Sequence, residues 1–114
     1  MWTSFRTIVY DHVEAFRATY PTAPILVTGH SLGAAVATLA ALDLKINYTS
    51  SVSLYNFGSP RVGNYDFYTY FKSIFGLDVY RITHELDPVP HTPMEIQGFH
   101  HIATEVWYYS ATDP

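Results

Sequence analysis

The fold is decided by the stretch Pro24-Ile25-Leu26-Val27-Thr28-Gly29-His30-Ser31-Leu32-Gly33. Its first half is an apolar run that predicts a β-strand, and the sequence from Ser31 to Lys45 predicts a helix. Between them lies Gly-x-Ser-x-Gly, which in a strand–turn–helix context is typical of a nucleophile elbow. Such a turn points the hydroxyl of Ser31 outward, and the helix begins with free backbone N–H groups beside it. The two glycines are predicted to let the turn fit and the strand and helix pack closely.

The bulk composition is that of one small globular domain. The chain has 114 residues, of which 48% are hydrophobic and 14% are charged, so it has enough apolar surface for a core. This length allows at most one domain, and a small one for an α/β enzyme. The formal net charge is −4 with only six Lys and Arg residues. Without a basic patch we expect no nucleic-acid partner.

Several classes of site and segment are not expected. The chain has no cysteine, which removes disulfides, zinc–thiolate sites and thiol nucleophiles. The histidines between positions 84 and 101 lack the tight spacing of a metal site, so we expect no metal and no cofactor. No apolar stretch reaches the length of a membrane span, and the first four residues do not begin a signal peptide, which leaves the compartment open. Asn47-Tyr48-Thr49 is an N-glycosylation sequon, which matters only if the protein is secreted.

Hydrophobic periodicity predicts three helices separated by strands. Apolar residues at three- and four-residue steps from Phe5 to Tyr20 mark an amphipathic helix, capped by Thr3 or Ser4 and ended by Pro21. The alanine-rich stretch from 32 to about 45 is apolar on nearly every side, which predicts a deeply buried helix. The other predicted elements are strands at 25–27, 52–55, 78–83 and 105–109, loops at 57–64 and 84–93, and a helix at 64–75 ended by Gly76.

Strands that alternate with helices predict an α/β domain with a mainly parallel sheet. Right-handed crossovers that move in one direction would place all three helices on one face of that sheet. No predicted element covers the other face. Because the chain has no repeats, low-complexity tract or internal linker, residues 1–114 are predicted to form a single domain.

Asp87 is the candidate acid that would support Ser31. A serine hydroxyl needs a base to take its proton, and that base needs a third group to orient it. In elbow-type hydrolases the acid follows the serine along the chain, and catalytic groups lie beyond the carboxyl ends of parallel strands. Asp87 meets both conditions, since it follows the strand at 78–83. Asp-Pro is also a common turn pair, so Asp87 has an equally good structural explanation, and Glu85 is the alternative acid.

Six histidines compete for the role of base, and each also has an ordinary structural explanation. The one next to Ser31 should point away from its hydroxyl. Order along the chain nominates His101, which follows Asp87 after a further apolar segment. The six are His12, His30, His84, His91, His100 and His101.

Four segments together resemble the class 3 lipase family, the fungal-type triacylglycerol lipases and their relatives. They agree with the family in order and spacing, and they span nearly the whole chain. The segments are VTGHSLGAA at 27–35, YNFGSPRVGN at 55–64, RITHELDPVP at 81–90, and GFHH at 98–101 followed by EVWY at 105–108.

The resemblance implies part of an α/β-hydrolase fold and a serine esterase that acts on carboxylic esters, typically acylglycerols. It leaves open whether such action takes place at a lipid interface. It implies Ser31 as the nucleophile and Asp87 as the acid that orients the histidine. It also implies that the backbone N–H of Leu32 forms one half of the oxyanion hole. Members of this family are commonly secreted.

Three departures from the family pattern are expected to matter. Family members are roughly twice as long, so the early strands, the second oxyanion-hole donor and the lid would precede Met1. His101 matches a family histidine before Glu-x-Trp that is not the base, and the family's catalytic histidine would lie beyond Pro114. The elements that cover the far face of the sheet would also lie outside the chain.

These departures leave two main hypotheses. Residues 1–114 are part of a serine esterase or lipase whose base lies outside the chain, or they form a catalytically inactive, truncated domain that acts only as a binding or regulatory module. In a third case, His101 replaces the missing base. On its own the chain is expected to be a poor enzyme, because losing a triad member costs orders of magnitude in rate.

Overall fold

The computed structural model describes residues 1–48, 51–76 and 78–110. Thr49, the third residue of the sequon, and the end of the chain at 111–114 lie outside these ranges. Within these ranges two short 3₁₀-helices lie at Val89–His91 and Glu95–Gln97, and the other elements are three α-helices and six strands. They are α1 (Trp2–Thr19), β1 (Ile25–His30), α2 (Leu32–Asn47), β2 (Val52–Phe57), β3 (Gly63–Asn64), α3 (Tyr65–Phe75), β4 (Val79–His84), β5 (Phe99–His100) and β6 (Thr104–Tyr108).

The main sheet has four parallel strands in the order β1-β2-β4-β6. Neighbouring strands in this sheet follow one another along the chain, with only the short β3 and β5 left out, so the crossovers run in one direction. The helices contact one another in the order α1, α2, α3, and they lie mostly on one face of the sheet. The predicted α/β class and parallel sheet are confirmed.

The core lies between the sheet and its helical layer. Along β2 and β4 every second residue is buried, as expected for strands that face helices on one side. Leu54 and Val79, which are register partners, are 0% and 1% exposed. Phe71 and Phe75 of α3 stack at 4.6 Å between ring centroids, and both rings belong to the core cluster.

The opposite face of the sheet is exposed within the described chain. Leu26 on β1 is 64% exposed, and Tyr55 and Phe57 on β2 are 40% and 44% exposed. Tyr55 stacks on Tyr80 of β4 at 5.3 Å, so an aromatic row crosses this face. The expectation of one uncovered face is confirmed, and β1 is also an edge strand.

Several predicted details were wrong. α1 begins at Trp2 with Met1 as its N-cap and has no side-chain capping bond, so neither Thr3 nor Ser4 caps it. α2 is not buried on all sides, since Leu32 and Ile46 are 59% and 52% exposed. The predicted loop at 57–64 contains β3, which pairs with β5 in a small antiparallel sheet. Within the described residues, none of the helices has the length and apolar character needed to cross a bilayer.

Asp43 of α2 ties α1 to the rest of the domain. Its carboxylate accepts hydrogen bonds from the indole N–H of Trp2 (2.9 Å), the guanidinium of Arg6 and the hydroxyl of Tyr10 (3.1 Å). The hydrogen bond from Arg6 holds the pKa of Asp43 below its usual value. Since none of the described residues of α1 is buried, we infer that these polar contacts carry much of the attachment of α1.

Replacing Asp43 with alanine is therefore expected to loosen α1. The substitution leaves the three donor residues of α1, and Asn47 of α2, without this acceptor, so the free energy of unfolding should fall by about 1–2 kcal/mol at neutral pH. A depressed pKa stabilises the fold above the unfolded pKa, and this contribution is lost as pH falls through the folded value. Wild type and Asp43→Ala should therefore converge in acid, as measured by urea unfolding. Asp11→Ala on exposed α1 is the control, and an equal loss there would contradict the assignment.

Candidate active site

Ser31 stands at a strained turn between β1 and α2. Its φ is 54° and its ψ is −127°, a left-handed conformation that is unfavourable for any residue with a Cβ. Its own N–H donates to the carbonyl of Phe57 (2.9 Å), which continues the ladder between β1 and β2. Its hydroxyl makes no capping bond to α2, and the residue is partly exposed. The turn therefore has the backbone strain that a nucleophile elbow requires.

The two glycines of the motif have different surroundings. A Cβ at Gly29 would lie 2.5 Å from the carbonyl oxygen of Gly33 and 2.8 Å from the Cα of Ala34. Only glycine therefore lets β1 and α2 approach this closely. A Cβ at Gly33 would meet no heavy atom of the described residues within 4 Å. The close-packing prediction is confirmed for Gly29 and wrong for Gly33.

Leu32 is the first residue of α2, and its side chain is 59% exposed. The N–H groups of Ala34 and Ala35 both turn back to the carbonyl of Ser31 (3.0 and 3.4 Å). Helix geometry leaves the first N–H groups without intrahelical acceptors, and the helix dipole adds partial positive charge there. The N–H of Leu32 thus lies where negative charge beside Ser31 would be stabilised.

Asp87 lies in the loop that follows β4 and is partly buried. Its N–H donates to the carbonyl of His84 (3.1 Å), and its Oδ1 accepts the N–H of Val89 (3.0 Å). The residue thus forms the turn that the Asp-Pro pair predicts. Its second oxygen, Oδ2, points towards Gly58 and lies 3.0 Å from where a Cβ of that residue would be. The structural and the functional explanations of Asp87 are compatible.

Ser31 and Asp87 follow strands that end at the same edge of the sheet. β2 lies between their strands, and the row His30–Phe57–Ile82 is in register across all three. Adjacent strands are about 4.8 Å apart, so the backbones of β1 and β4 are separated by about 10 Å. This spacing leaves room for one imidazole ring between a serine and a carboxylate side chain.

Gly58 occupies the middle of that edge. It has φ of 56°, and its N–H donates to the carbonyl of Ile82 (2.9 Å). Besides Asp87, its missing Cβ would lie 3.8 Å from Nε2 of His30. The absence of a side chain at Gly58 therefore keeps open the space between the serine turn and the acidic loop.

The histidines are spread over the domain. His12 is exposed on α1, His30 is exposed on the uncovered sheet face, and His84 and His91 are exposed at the two ends of the acidic loop. His100 makes an edge-to-face contact with Tyr65 at 5.4 Å. Within the described ranges, no group of three or more His, Cys, Asp or Glu residues is placed to hold a metal ion.

His101 is held by the backbone of the acidic loop and not by its carboxylate. Its Nε2 lies 2.6 Å from the carbonyl oxygen of Pro90. Burial lowers the pKa of His101 to about 4, and the charge of Arg81 acts in the same direction. The ring is therefore neutral near pH 7, and its Nε2 must carry the proton that it donates to Pro90. This engagement is unfavourable for a general base at Nε2.

A cleft of about 330 Å³ opens beside Asp87 at the ends of β4 and β6. It is partly polar, since His84, Glu85 and His91 line it together with the indole of Trp107. The indole N–H also donates to the carbonyl of Glu85 (3.1 Å). A side chain that approaches Asp87 from outside the described residues could enter here.

Known proteins resemble this chain in sequence and in overall structure. The family described as Lipase (class 3) matches residues 1–97. The chain belongs to the class 3 lipase family. Secreted mono- and diacylglycerol lipase A of Penicillium cyclopium is 39% identical over 112 residues, which cover 96% of this chain and 36% of that protein. Secreted mono- and diacylglycerol lipase 1 of Fusarium solani is 42% identical over 106 residues, with 93% and 31% covered.

Solved lipases have the same fold over the matched part of their chains. The lipase from Rhizopus microsporus var. chinensis superimposes with a TM-score of 0.90 at 35% identity, over 99% of this chain and 40% of that one. A triacylglycerol lipase whose catalytic centre is described as a serine protease triad gives a TM-score of 0.87 at 38% identity, over 98% and 42%. The likeness supports the α/β-hydrolase assignment.

The chain spans about a third of the length of the curated relatives that it matches. The expectation that family members are roughly twice as long was therefore wrong for these relatives.

Sequence reasoning missed Gly58 as a member of the candidate site, and it missed Arg61, whose guanidinium donates to the carbonyls of His91 and Pro93 and to Glu95. Both lie in the segment at 55–64, which was predicted as loop. A glycine directly after a buried parallel strand was the available signal for Gly58, since such positions lie at the functional edge of the sheet. The role of Arg61 depends on contacts to residues 91–95, far along the chain, and no local pattern predicts it.

The depressed pKa of His101 predicts a pH-dependent stability. The imidazole has a pKa of 6.5 when unperturbed and about 4 in the fold. The unfolded chain therefore binds more protons in this window, so stability is full above it and falls as pH drops from about 6.5 to about 4. His101→Gln keeps an N–H donor but removes the titrating ring, and it should lose less stability than wild type between about pH 7 and pH 5.

Urea unfolding at the two pH values is the measurement. His12→Gln, on the exposed surface of α1, is the control and should follow wild type. Equal losses in wild type and His101→Gln would contradict the assignment.

Proposed function

We propose that the protein is a serine carboxylic-ester hydrolase that acts on acylglycerols through an acyl-enzyme. The observation that carries this proposal is the strained turn of Ser31, which shares one sheet edge with Asp87 across Gly58. Membership of a family with secreted mono- and diacylglycerol lipases supports the substrate class. The domain proposed for residues 1–114 is a partial one, because it matches only part of those relatives.

In the proposed reaction, Oγ of Ser31 attacks the ester carbonyl carbon while a histidine takes its proton. The carbonyl oxygen becomes negative, and the N–H of Leu32 at the start of α2 stabilises it. The same histidine then gives the proton to the leaving alcohol, and the acyl group remains on Ser31. Water, activated by that histidine, releases the acid and regenerates the serine hydroxyl. Asp87 holds the imidazole in the required tautomer and stabilises its positive charge.

The proposed base is a histidine outside residues 1–114. His101 is a poor candidate, because its Nε2 is hydrogen-bonded to Pro90 and burial keeps its ring neutral. The open cleft beside Asp87 offers the route by which an added histidine would reach the carboxylate. The proposal therefore expects full activity only in a protein that supplies such a histidine beside Asp87.

Ser31→Ala is the direct test. In the protein as its gene encodes it, we expect hydrolysis of a short-chain ester to fall by at least about 10³-fold, and covalent labelling by a fluorophosphonate to be lost. Ser73→Ala, an exposed serine on α3, is the control and should retain both. Hydrolysis that survives in Ser31→Ala would refute the proposal. A folded wild-type protein without labelling would favour the alternative, an inactive module that only binds.

Alanine at Gly58 tests whether the gap beside Asp87 matters. Gly58 and Gly76 both have positive φ, 56° and 66°, so alanine at either should cost about 1 kcal/mol of stability. A Cβ at Gly58 would press on Oδ2 of Asp87, whereas one at Gly76 would meet no heavy atom of the described residues within 4 Å. The carboxylate can turn away, so the added effect should appear in catalysis.

We therefore expect similar losses in urea unfolding for both variants, but a drop in ester hydrolysis of about tenfold or more for Gly58→Ala alone. If the two variants hydrolyse the ester equally well, Gly58 does not position the acid.

A further inference from the structure

The loop after Asp87 is held by an unusual set of contacts. Four successive backbone carbonyls, those of residues 90–93, each accept a hydrogen bond from outside the loop, and only two residues supply them. His101 donates to Pro90 (2.6 Å). Arg61 donates from one guanidinium nitrogen, Nη1, to His91 (2.8 Å) and Pro93 (2.9 Å), and from its backbone N–H to Thr92 (2.8 Å).

The start of the loop is held separately. The N–H of Glu85 donates to the carbonyl of Tyr108 (2.6 Å), and the carbonyl of Glu85 accepts the indole N–H of Trp107. β6 therefore fixes the segment before Asp87, and Arg61 with His101 fixes the segment after it. Among the residues that the structure describes, Asp87 itself makes only local bonds, to His84 and Val89. Its position is thus set by the two anchored ends.

Arg61 and His101 both have partly or largely buried side chains, which suits them to hold the loop carbonyls in place. The side chain of Arg61 is 9% exposed, and its planar guanidinium reaches two carbonyls and, through Nη2, a carboxylate oxygen of Glu95 (3.0 Å). The ring of His101 is half-buried, beside the positive charges of Arg61 and Arg81. Neither residue is aimed at Asp87 or Ser31, so a direct chemical step is not their role.

We propose that Arg61 and His101 are positioning residues that hold the loop of Asp87 through its backbone carbonyls and affect catalysis only through Asp87. This inference rests on the proposed function for its catalytic part. Its structural part, that the two residues fix the carboxylate of Asp87, stands independently.

The structural part is tested by hydrogen exchange, without any activity. The amide of Val89 reports on Asp87 because it donates to Oδ1, and the amide of Leu42 in the middle of α2 reports on the whole fold. His101→Leu and Arg61→Met should each speed exchange at Val89 by about tenfold and leave Leu42 within about twofold.

Two variants serve as matched controls for exchange. His101→Gln retains an N–H donor and should restore Val89 to within about threefold of wild type. Glu95→Ala removes only the exposed partner of Arg61 and should leave Val89 unchanged. Unchanged exchange at Val89 in both test variants, or a parallel rise at Leu42, would overturn the proposal.

The catalytic part is tested by a double-mutant cycle in the protein as its gene encodes it. His101→Leu should lower kcat for a soluble short-chain ester by about tenfold and change KM by less than about twofold, and Arg61→Met should do the same. In an Asp87→Asn background, either substitution should lower kcat by less than about twofold, because the group through which they act is already disabled.

The remaining outcomes separate the two proposals. Full additivity in the Asp87→Asn background would mean that the two residues act independently of the acid, and it would overturn the catalytic part. Ser31→Ala, run in parallel, tests the function itself. If ester hydrolysis survives in Ser31→Ala, the proposed function fails, while the exchange result at Val89 still decides whether the carboxylate is held as described.

Discussion

The parallel register of β1, β2 and β4 is the constraint on which the rest of the site depends. β1 and β2 end in one row, at His30 and Phe57, and this row is in register with Ile82 of β4, two residues before β4 ends. The three strands therefore deliver three consecutive turns to the same edge. The first carries Ser31, the second carries Gly58, and the third leads to Asp87. Any slip in this register would move a turn along the strand direction by about 3.3 Å and turn its side chains to the other face. The hydrogen bonds from Ser31 to Phe57 and from Gly58 to Ile82 continue the ladder into the turns themselves.

Features that depend on neighbours in sequence were predictable. The alternation of apolar strands with helical stretches defined the α/β class, and Gly-x-Ser-x-Gly between a strand and a helix located the elbow. The helix predicted at 64–75 was found from its apolar surface and from Gly76 at its end. The structure places it at Tyr65–Phe75, with Asn64 as the N-cap that accepts from the N–H of Phe67 and with Gly76 at positive φ. Asp87 became the candidate acid from its place after a strand, although its residue type alone does not separate a turn residue from a catalytic acid.

Features that depend on distant contacts were not predictable. β3 was read as loop because its two residues form a strand only by pairing with β5, about 36 positions later. The hold of Arg61 on residues 91–93 arises in the same way. Gly33 was assigned a packing role by analogy with Gly29, but only one of two identical residues faces the neighbouring backbone. Sequence pattern indicates which residue types are present, and tertiary packing decides which of them are used.

The loose packing of α1 against the rest of the domain has a consequence for where local unfolding begins. This 18-residue helix has no buried residue among those described. Polar contacts link it to the layer beside it: Trp2 and Tyr10 donate to Asp43, and the hydroxyl of Tyr48 donates to Glu14 of the helix. The connection to β1 at positions 20–24 is exposed. Local opening should therefore begin at the amino-terminal end, and a protease would nick this connection before it reached the sheet. The elbow of Ser31 would survive such a cut, because its ladder and helix contacts lie wholly downstream.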